Sequence, residues 1–243
     1  MKKSTIIKLL FLAVISLSAC GQKKQKLKPT SWISIDIPEP SDICINANND
    51  NFFIVSDNGI LFETDRNGKI KRSIDQAGTD FEAVFSDANY IYCVDESNRD
   101  IYQYEIKDFK YIKTINKPFS GARNKGYESM TYNAISQHYL LIIERDPITL
   151  FELDQNFATI KQVDLSNIAK DISSAKFYNN ALWLLSDEDA VIVKLDPKNY
   201  QILDKWKIPV LNPEGIAFDK NGKILITSDD MQRIYYFDNP EKN

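Results

Sequence analysis

The chain repeats a three-part pattern five times, and this repeat is the feature that most constrains its fold. Each copy opens with a short apolar run that carries an acidic residue near its start, or Ser173 in the fourth copy. Some 14 to 17 residues later an apolar run ends in charge, and an alternating run that ends in an acid follows. The copies begin near residues 41, 81, 127, 172 and 213. A repeat of roughly 40–45 residues with short strands is typical of a β-propeller blade, and a pattern that keeps its order through every copy argues against chance.

The number of strands in each copy predicts how the ring closes. In the first four copies a further strand-like run follows the third part, which gives the four strands of a blade. The fifth copy ends after Tyr235–Asp238, one strand short, whereas residues 32–38 supply an extra strand ahead of the first copy. We therefore expect an all-β, five-bladed β-propeller over residues 31–239, in which the N-terminal strand completes the last blade. Such closure removes an exposed sheet edge.

Residues 1–19 have the pattern of a secretory signal peptide. Lys2 and Lys3 precede an apolar stretch from Ile6 to Leu17 that is too short to span a bilayer as a helix. Leu17-Ser18-Ala19-Cys20 then matches the lipobox of bacterial lipoproteins, in which cleavage occurs before the cysteine and lipid is attached to it. We therefore expect Cys20 to anchor the protein to a bacterial membrane in the cell envelope, on the periplasmic side or at the outer surface.

The lysine-rich segment that follows, residues 20–30, has no apolar periodicity and is interpreted as a solvated tether. Alternatively, its lysines contact anionic headgroups, each contributing on the order of 1 kcal/mol. Cleavage before Cys20 removes three lysines and changes the formal charge from −4 to −7. An acidic domain of this kind disfavours a nucleic-acid partner. No linker divides the remaining chain, and we expect a monomer.

Cys44 and Cys93 fall in columns that are apolar in the other copies, so each is expected to be a small buried hydrophobic residue. A disulfide between adjacent blades is the alternative, since such bonds form outside the cytoplasm. His138 is the sole histidine and falls in a predicted hairpin. It is therefore interpreted as a surface residue and not as a metal ligand or a catalytic base.

Propeller geometry gathers acidic residues at one end of the central channel. The first strand of a blade lies beside the channel and the second returns antiparallel to it, so the start of the first strand and the end of the second emerge on one face. We expect ten carboxylates at this mouth, with Arg145 as the one basic residue in the aligned columns. They are Glu82, Glu128, Glu214 and Asp42 at first-strand starts, and Asp57, Asp95, Glu96, Glu144, Asp187 and Asp229 at second-strand ends.

So many like charges at one mouth require neutralisation. At about 4 Å and an effective dielectric constant of about 20, each pair of carboxylates costs about 4 kcal/mol. Either some of the acids stay protonated or a cation binds them. Oxygen ligands favour a hard cation, and Ca²⁺ accepts roughly six to eight of them in flexible geometry, whereas Zn²⁺ lacks its usual nitrogen and sulfur ligands here. Calcium is the expected cofactor, and a solvated acidic surface without an ion is the alternative.

The motifs at this mouth resemble a known family. Asp80-Phe81-Glu82-Ala83, Gly126-Tyr127-Glu128-Ser129, Pro213-Glu214-Gly215-Ile216-Ala217, Val94-Asp95-Glu96 and Ile143-Glu144-Arg145-Asp146-Pro147 together look like the SdiA-regulated (YjiK-like) family, over about residues 31–239. The resemblance implies a five-bladed, membrane-associated bacterial propeller with a calcium site, distantly similar to NHL-repeat propellers, and leaves the biochemical activity undefined.

The resemblance also implies a set of metal ligands. Matched position by position, Glu82, Glu128 and Glu214 correspond to the family's first-strand glutamates, and Asp95 and Glu144 correspond to its second-strand acids. The chain departs from the family pattern at Ser173, which replaces a glutamate. It also departs after Glu82 and Glu128, where related chains often have glycine and this chain has Ala83 and Ser129.

Two functions of different classes are compatible with these residues. The first is a non-enzymatic, calcium-bound propeller that binds a protein or a small molecule on its acidic face, because no nucleophile–base pair and no glycine-rich phosphate loop is visible. The second is a metal-dependent hydrolase of lactones or phosphate esters, with Glu128 or Glu144 as general base. A third hypothesis is that the protein is a purely structural or transport-linked lipoprotein. Fold alone does not decide among them.

Overall fold

The computed structural model describes residues 25–119 and 126–242 of the chain. The predicted signal peptide and the predicted lipidation site at Cys20 lie outside the described residues. Within them, all regular structure is β except one short 3-10 turn, Pro240–Lys242. No helix in this part of the chain is long and apolar enough to cross a membrane.

Short strands follow one another with tight turns along the whole described chain. In chain order they are β1 (Gln25–Lys26), β2 (Pro29–Ser34), β3 (Pro40–Ile45), β4 (Phe52–Ser56), β5 (Ile60–Thr64), β6 (Ile70–Asp75), β7 (Phe81–Ser86), β8 (Tyr90–Asp95), β9 (Asp100–Glu105), β10 (Tyr111–Asn116), β11 (Tyr127–Asn133), β12 (His138–Ile143), β13 (Thr149–Leu153), β14 (Thr159–Asp164), β15 (Ser174–Tyr178), β16 (Ala181–Ser186), β17 (Val191–Leu195), β18 (Ile202–Lys207), β19 (Pro213–Phe218), β20 (Ile224–Ser228) and β21 (Arg233–Phe237).

The strands form five sheets, which are the blades of a propeller and are antiparallel except where β1 joins one of them. Blades 1 to 4 are β3–β6, β7–β10, β11–β14 and β15–β18, and blade 5 contains β19, β20, β21 and β2. The inner strands β3, β7, β11, β15 and β19 contact one another in ring order. The predicted all-β, five-bladed propeller is confirmed.

The N-terminal strand closes the ring as predicted. β2 pairs antiparallel with β21, with Pro29 opposite Phe237 and Ser34 opposite Arg233. A second contact was not expected: β1 pairs parallel with the end of β18, with Gln25 opposite Trp206. Leu27 continues this contact through its backbone N–H to Lys207 O, and its side chain packs against a buried cluster. The end of the segment interpreted as a tether therefore lies against blade 4.

One hairpin shows how asparagine replaces glycine in the turns of this chain. Asn179 and Asn180 join β15 to β16 and both have positive φ, 48° and 58°. A two-residue turn with this backbone matches the twist of the flanking strands, and asparagine tolerates the left-handed region better than most residues.

The hydrophobic core consists of five clusters, each of which fills the space between two neighbouring blades. Cys44 and Cys93 both belong to the cluster between blades 1 and 2, and both are free thiols. Burial raises the pKa of the Cys44 thiol to about 12, so it stays protonated and unreactive. The prediction that both cysteines act as buried hydrophobic residues is confirmed, and the disulfide is absent among the described residues.

Polar contacts cross the centre of the ring beneath the mouth. Lys176 of β15 donates hydrogen bonds to Asp42 Oδ2 (2.8 Å) and to the carbonyl oxygen of Val84 (3.0 Å). Asp42 also accepts hydrogen bonds from the N–H of Val84 (2.9 Å) and from Ser174 Oγ (2.8 Å). The edge of each inner strand that faces the channel has no partner strand. These side chains form hydrogen bonds with some of the backbone N–H and C=O groups along that edge. Blades 1, 2 and 4 are thereby tied together.

Candidate functional site

A β-bulge at the start of the inner strand directs a polar side chain into the mouth of the channel. The register shifts between Pro40 and Asp42 in blade 1, Phe81 and Ala83 in blade 2, Tyr127 and Ser129 in blade 3, and Pro213 and Ile216 in blade 5. The residues that fall in these bulges include Ser41, Glu82, Glu128 and Glu214, and all four line one cavity. Bulges commonly re-aim a side chain beside a functional site.

The cavity has a volume of about 280 Å³ and is dominated by carboxylates. Its lining residues are Ser41, Asp57, Glu82, Glu96, Glu128, Glu144, Arg145, Glu214 and Asp229. The ends of the second strands thus contribute to it together with the starts of the first strands. Arg145 is the only basic residue among the described residues that line it.

Blade 1 differs from the prediction by one residue. Asp42 pairs with Val55, as Ala83 pairs with Val94 in blade 2, so Ser41 and not Asp42 occupies the position of the first-strand glutamates. Asp42 is completely buried and its carboxylate faces Lys176. Burial raises the pKa of Asp42, although the Lys176 ammonium opposes this effect. The assignment of Asp42 to the acidic face was wrong, because the bulge adds a residue that a sequence pattern does not reveal.

Two other predicted acids lie outside the lining of the cavity. Asp95 is fully buried and accepts hydrogen bonds from Asn98, through the side chain (2.7 Å) and the backbone N–H (3.1 Å). It therefore shapes the turn between β8 and β9. The backbone N–H of Asp187 donates to Asp171 Oδ2 at 3.0 Å, and the Asp187 carboxylate is not among the lining groups.

Two acids that the sequence pattern did not assign to the mouth, Asp80 and Asp171, belong to the same region. Ligand oxygens of Asp80, Glu82 and Glu96 lie within 4.8 Å of one another, a spacing that suits a common metal ion. Asp80 directly precedes β7, and this position one residue before the strand is the feature of the sequence that could have indicated its place at the mouth. Asp171 accepts hydrogen bonds from Ser186 Oγ and from the N–H of Asp187, and no comparable sequence pattern marks it.

The three first-strand glutamates are held in surroundings that favour their protonated forms. Burial raises the pKa of Glu82 well above 4.5, and the charges of Asp57 and Asp80 add to this. Burial likewise raises the pKa of Glu128 well above its usual value, with Glu82 as the strongest neighbouring charge. For Glu214 burial raises the pKa to about 8. A cation among them would relieve both the desolvation and the mutual repulsion.

Glu144 combines a raised pKa with a basic neighbour. Burial raises the pKa of Glu144 to about 7, although the guanidinium of Arg145 lies 2.9 Å away and opposes the shift. Arg145 also contacts Glu188 at 3.1 Å, so its charge is shared between two carboxylates. One cation shared in this way leaves most of the cavity's negative charge uncompensated.

Glycine at position 126 allows a close approach of two segments. The N–H of Gly126 donates a 2.8 Å hydrogen bond to Glu96 Oε1. A Cβ atom at this position would lie 2.6 Å from both Cγ and the carbonyl oxygen of Glu96. Only glycine fits here without displacing Glu96. In blade 1, Ser41 Oγ donates a hydrogen bond to Asp57 Oδ1.

The family model described as SdiA-regulated matches residues 26–238 of the chain. The protein belongs to the SdiA-regulated family. The resemblance inferred from the first-strand and second-strand acids is therefore confirmed for the family and for its five-bladed fold.

Two solved structures resemble this SdiA-regulated propeller. The crystal structure of Myxococcus xanthus glutaminyl cyclase superposes with a TM-score of 0.71 at 13% identity, covering 88% of this chain and 98% of that one. A streptogramin B lyase structure gives a TM-score of 0.53 at 14% identity, with coverage of 86% and 72%. At such identities the likeness concerns the fold.

Proposed function

We propose that the acidic cavity binds a calcium ion and that the calcium-bound propeller is an envelope-anchored binding platform. The observation that carries this proposal is the convergence of Asp80, Glu82 and Glu96, whose ligand oxygens lie within 4.8 Å of one another. Glu82 and Glu96 line the cavity together with further acids. Carboxylates at such distances repel strongly in a partly desolvated site unless a cation or protons neutralise them.

The chemistry of the donor set favours calcium over other ions. The described lining residues provide carboxylate oxygens and the Ser41 hydroxyl, and no histidine or cysteine is among them. Ca²⁺ prefers oxygen ligands and tolerates irregular geometry, whereas Zn²⁺ is usually held by nitrogen or sulfur. The first-strand glutamates come from blades 2, 3 and 5, whereas blades 1 and 4 have serine in the corresponding positions, Ser41 and Ser173, so the set of donors around the ring is irregular.

A metal measurement tests the calcium site. The propeller purified without chelator should contain calcium in a simple ratio to protein by elemental analysis, and its melting temperature should fall when EGTA is added. Magnesium should restore less of the melting temperature than calcium does, because Mg²⁺ requires near-octahedral geometry. A protein that contains no calcium and melts at the same temperature with and without chelator would contradict the proposal.

Anchoring through lipid on Cys20 is the second part of the proposal. It is supported by the lipobox sequence Leu17–Cys20 and by the preceding apolar stretch. Mass spectrometry of the protein extracted from membranes should show a diacylglyceryl-modified Cys20 peptide. The Cys20→Ser variant should be found in the soluble fraction instead. An unmodified Cys20 in membrane-extracted protein would contradict the lipid anchor.

A metal-dependent enzyme is the second candidate function, and one observation favours it. Glu144, with a pKa raised to about 7 by burial, lies in the same cavity as the proposed ion and next to Arg145. A carboxylate that titrates near neutral pH suits general acid–base catalysis, and both structurally similar proteins named above are enzymes by name. Calcium-dependent turnover of a lactone or phosphate ester that is abolished by Glu144→Gln would favour the enzyme over the platform.

A further inference from the structure

A single arginine bridges two carboxylates at the mouth of the channel. Arg145 lies in the turn between β12 and β13 and is the one basic residue that the described part of the chain contributes to the lining of the cavity. Its Nε lies 2.9 Å from Glu144 Oε2, and its Nη1 lies 3.1 Å from Glu188 Oε1. Glu144 lines the cavity and Glu188 does not, so the guanidinium connects the lining to a carboxylate outside it.

Backbone hydrogen bonds hold both carboxylate residues of this bridge in place. The N–H of Ile172 donates to the carbonyl oxygen of Glu144 at 3.0 Å. Glu188 lies in the turn between β16 and β17, and its N–H donates to Asp171 Oδ1 at 3.2 Å. The bridge therefore joins a turn of blade 3 to a turn of blade 4 and keeps a positive charge between them.

The bridge lies where the ring of first-strand glutamates is interrupted. Blade 3 provides Glu128 and blade 5 provides Glu214, but blade 4 has Ser173 in the corresponding position. The Ser173 hydroxyl donates to the carbonyl oxygen of Pro213 at 2.9 Å, and Ser173 is not among the lining residues. Blade 4 thus holds a cation at the mouth, through Glu188, where blades 2, 3 and 5 each present a carboxylate.

The charge of Arg145 acts on the same carboxylates as a bound ion would. The charge of Glu144 raises the pKa of Arg145, and those of Glu188 and Glu128 add to this effect although desolvation opposes it, so the guanidinium stays charged. Glu128 and Glu144 are both candidate calcium ligands that line the cavity. Two cations that share carboxylates weaken each other's binding, because each reduces the negative potential that attracts the other.

We propose that Arg145 is a tethered counter-cation that competes with calcium for the carboxylates of the cavity. The proposal rests on the calcium site proposed above and concerns the regulation of that site. The acidic residues increase calcium affinity, whereas Arg145 decreases it and stabilises the ion-free cavity. A cation fixed to the chain in this way raises the calcium concentration at which the site fills.

The Arg145→Gln variant tests this role, because it removes the charge and keeps a polar side chain. Protein stripped of metal and then freed of chelator is titrated with calcium by isothermal titration calorimetry. The calcium affinity of Arg145→Gln should exceed that of the wild type by about tenfold at roughly 0.1 M salt. Its melting temperature in EGTA should fall, because Glu144 and Glu128 lose a neutralising charge. Loss of a merely structural contact would lower the melting temperature without increasing calcium affinity.

Further variants separate the charge of Arg145 from its shape and its position. Arg145→Met is a second neutral variant and should behave as Arg145→Gln does. Arg145→Lys keeps the charge, so its calcium affinity should stay within about twofold of the wild type. Lys170→Gln removes the same charge from an exposed side chain outside the lining, 3.8 Å from Asp189, and should also change calcium affinity by less than about twofold.

The outcomes distinguish this role from the calcium site itself. If the wild type binds calcium and both neutral variants bind it no more tightly, the role of Arg145 is overturned and the calcium site stands. An equal gain in affinity for Lys170→Gln would also overturn the role, since the effect would then follow from net charge alone. A wild-type protein that binds no calcium would overturn both proposals.

Discussion

The ammonium group of Lys176 in blade 4 lies 2.8 Å from a carboxylate oxygen of Asp42 in blade 1, although the two residues are 134 positions apart in the chain. Both side chains are almost completely shielded from solvent. Lys176 also donates to the carbonyl oxygen of Val84 in blade 2, so a single side chain joins three blades across the centre of the ring.

Removing one partner of this pair should destabilise the propeller strongly. Lys176→Met leaves the Asp42 carboxylate buried without its cation, and such a change typically costs about 3–5 kcal/mol of unfolding free energy. The double variant Asp42→Asn/Lys176→Met should recover part of that loss, because no charge remains buried. Urea denaturation of Asp42→Asn, of Lys176→Met and of the double variant measures the coupling. A loss below about 1 kcal/mol for Lys176→Met would mean that the pair contributes little.

Neutralising a first-strand glutamate should weaken calcium binding. Glu82→Gln and Glu214→Gln each remove a charged candidate ligand while keeping the size of the side chain, so calcium affinity by isothermal titration calorimetry should fall. Glu105→Gln is the matched control, since Glu105 ends β9 at the face opposite the cavity. If both cavity variants bind calcium as tightly as the wild type, the ion is held elsewhere.

The stability of the calcium-free protein should decrease as the pH rises. Burial raises the pKa of Glu144 from 4.5 to about 7 and that of Glu214 from 4.5 to about 8. The folded state therefore binds these protons more tightly than the unfolded state does. Their contribution to stability is complete below pH 4.5 and is lost as the pH rises through about 8.

Calcium should reverse this pH dependence. The ion competes with protons for the same oxygens, so calcium affinity should increase between pH 6 and about 8.5. Thermal melts across this range, with EGTA and with excess calcium, would show the two trends. A melting temperature in EGTA that is independent of pH would mean that the cavity acids are already ionised or solvated in the folded protein.

Gly126→Ala should disturb the cavity through Glu96. The added Cβ would lie 2.6 Å from Glu96 Cγ, so either the carboxylate moves or the N–H···Oε1 hydrogen bond lengthens. Loss of this bond and of the packing around it should cost about 1–3 kcal/mol, and calcium affinity should fall with it. The calorimetric affinity and the urea midpoint measure the two effects.

Gly78→Ala provides the comparison for that variant. A Cβ at Gly78 meets no atom within 4 Å, but its φ of +80° disfavours alanine. This variant should therefore lower stability through backbone strain and leave calcium affinity unchanged. Equal calcium affinities in the Gly126→Ala and Gly78→Ala variants would show that Glu96 is not positioned by Gly126.

The sequence was sufficient to predict the fold because each copy of the repeat shows the apolar strand pattern of one blade. Each inner and second strand is apolar, and the missing fourth strand of blade 5 could be matched with residues 32–38. The pairing of β1 with β18 could not be anticipated, because a two-residue strand leaves no periodic pattern. Its stability depends on the contacts of Gln25 with Trp206 and of Leu27 with the core.

The site was predicted less completely, for reasons of local geometry. The bulge in β3 adds a residue, so Ser41 takes the place that alignment of acids assigned to Asp42. Asp95 has the expected position in the chain, but Asn98 draws its carboxylate into a turn. Acids such as Asp80 approach the cavity from connecting segments, where sequence spacing says little about direction.

The pairing of β2 with β21 has a consequence for how the molecule is made. The outermost strand of blade 5, β2, is synthesised before blades 1 to 4, and its neighbour β21 is synthesised after them. The four main strands of each of blades 1 to 4 are consecutive in the chain, whereas the sheet of blade 5 cannot form until all four of these blades have been synthesised. A chain that stops before β21 therefore leaves β2 and β20 without their shared partner strand. Such molecules are natural targets for chaperones and proteases.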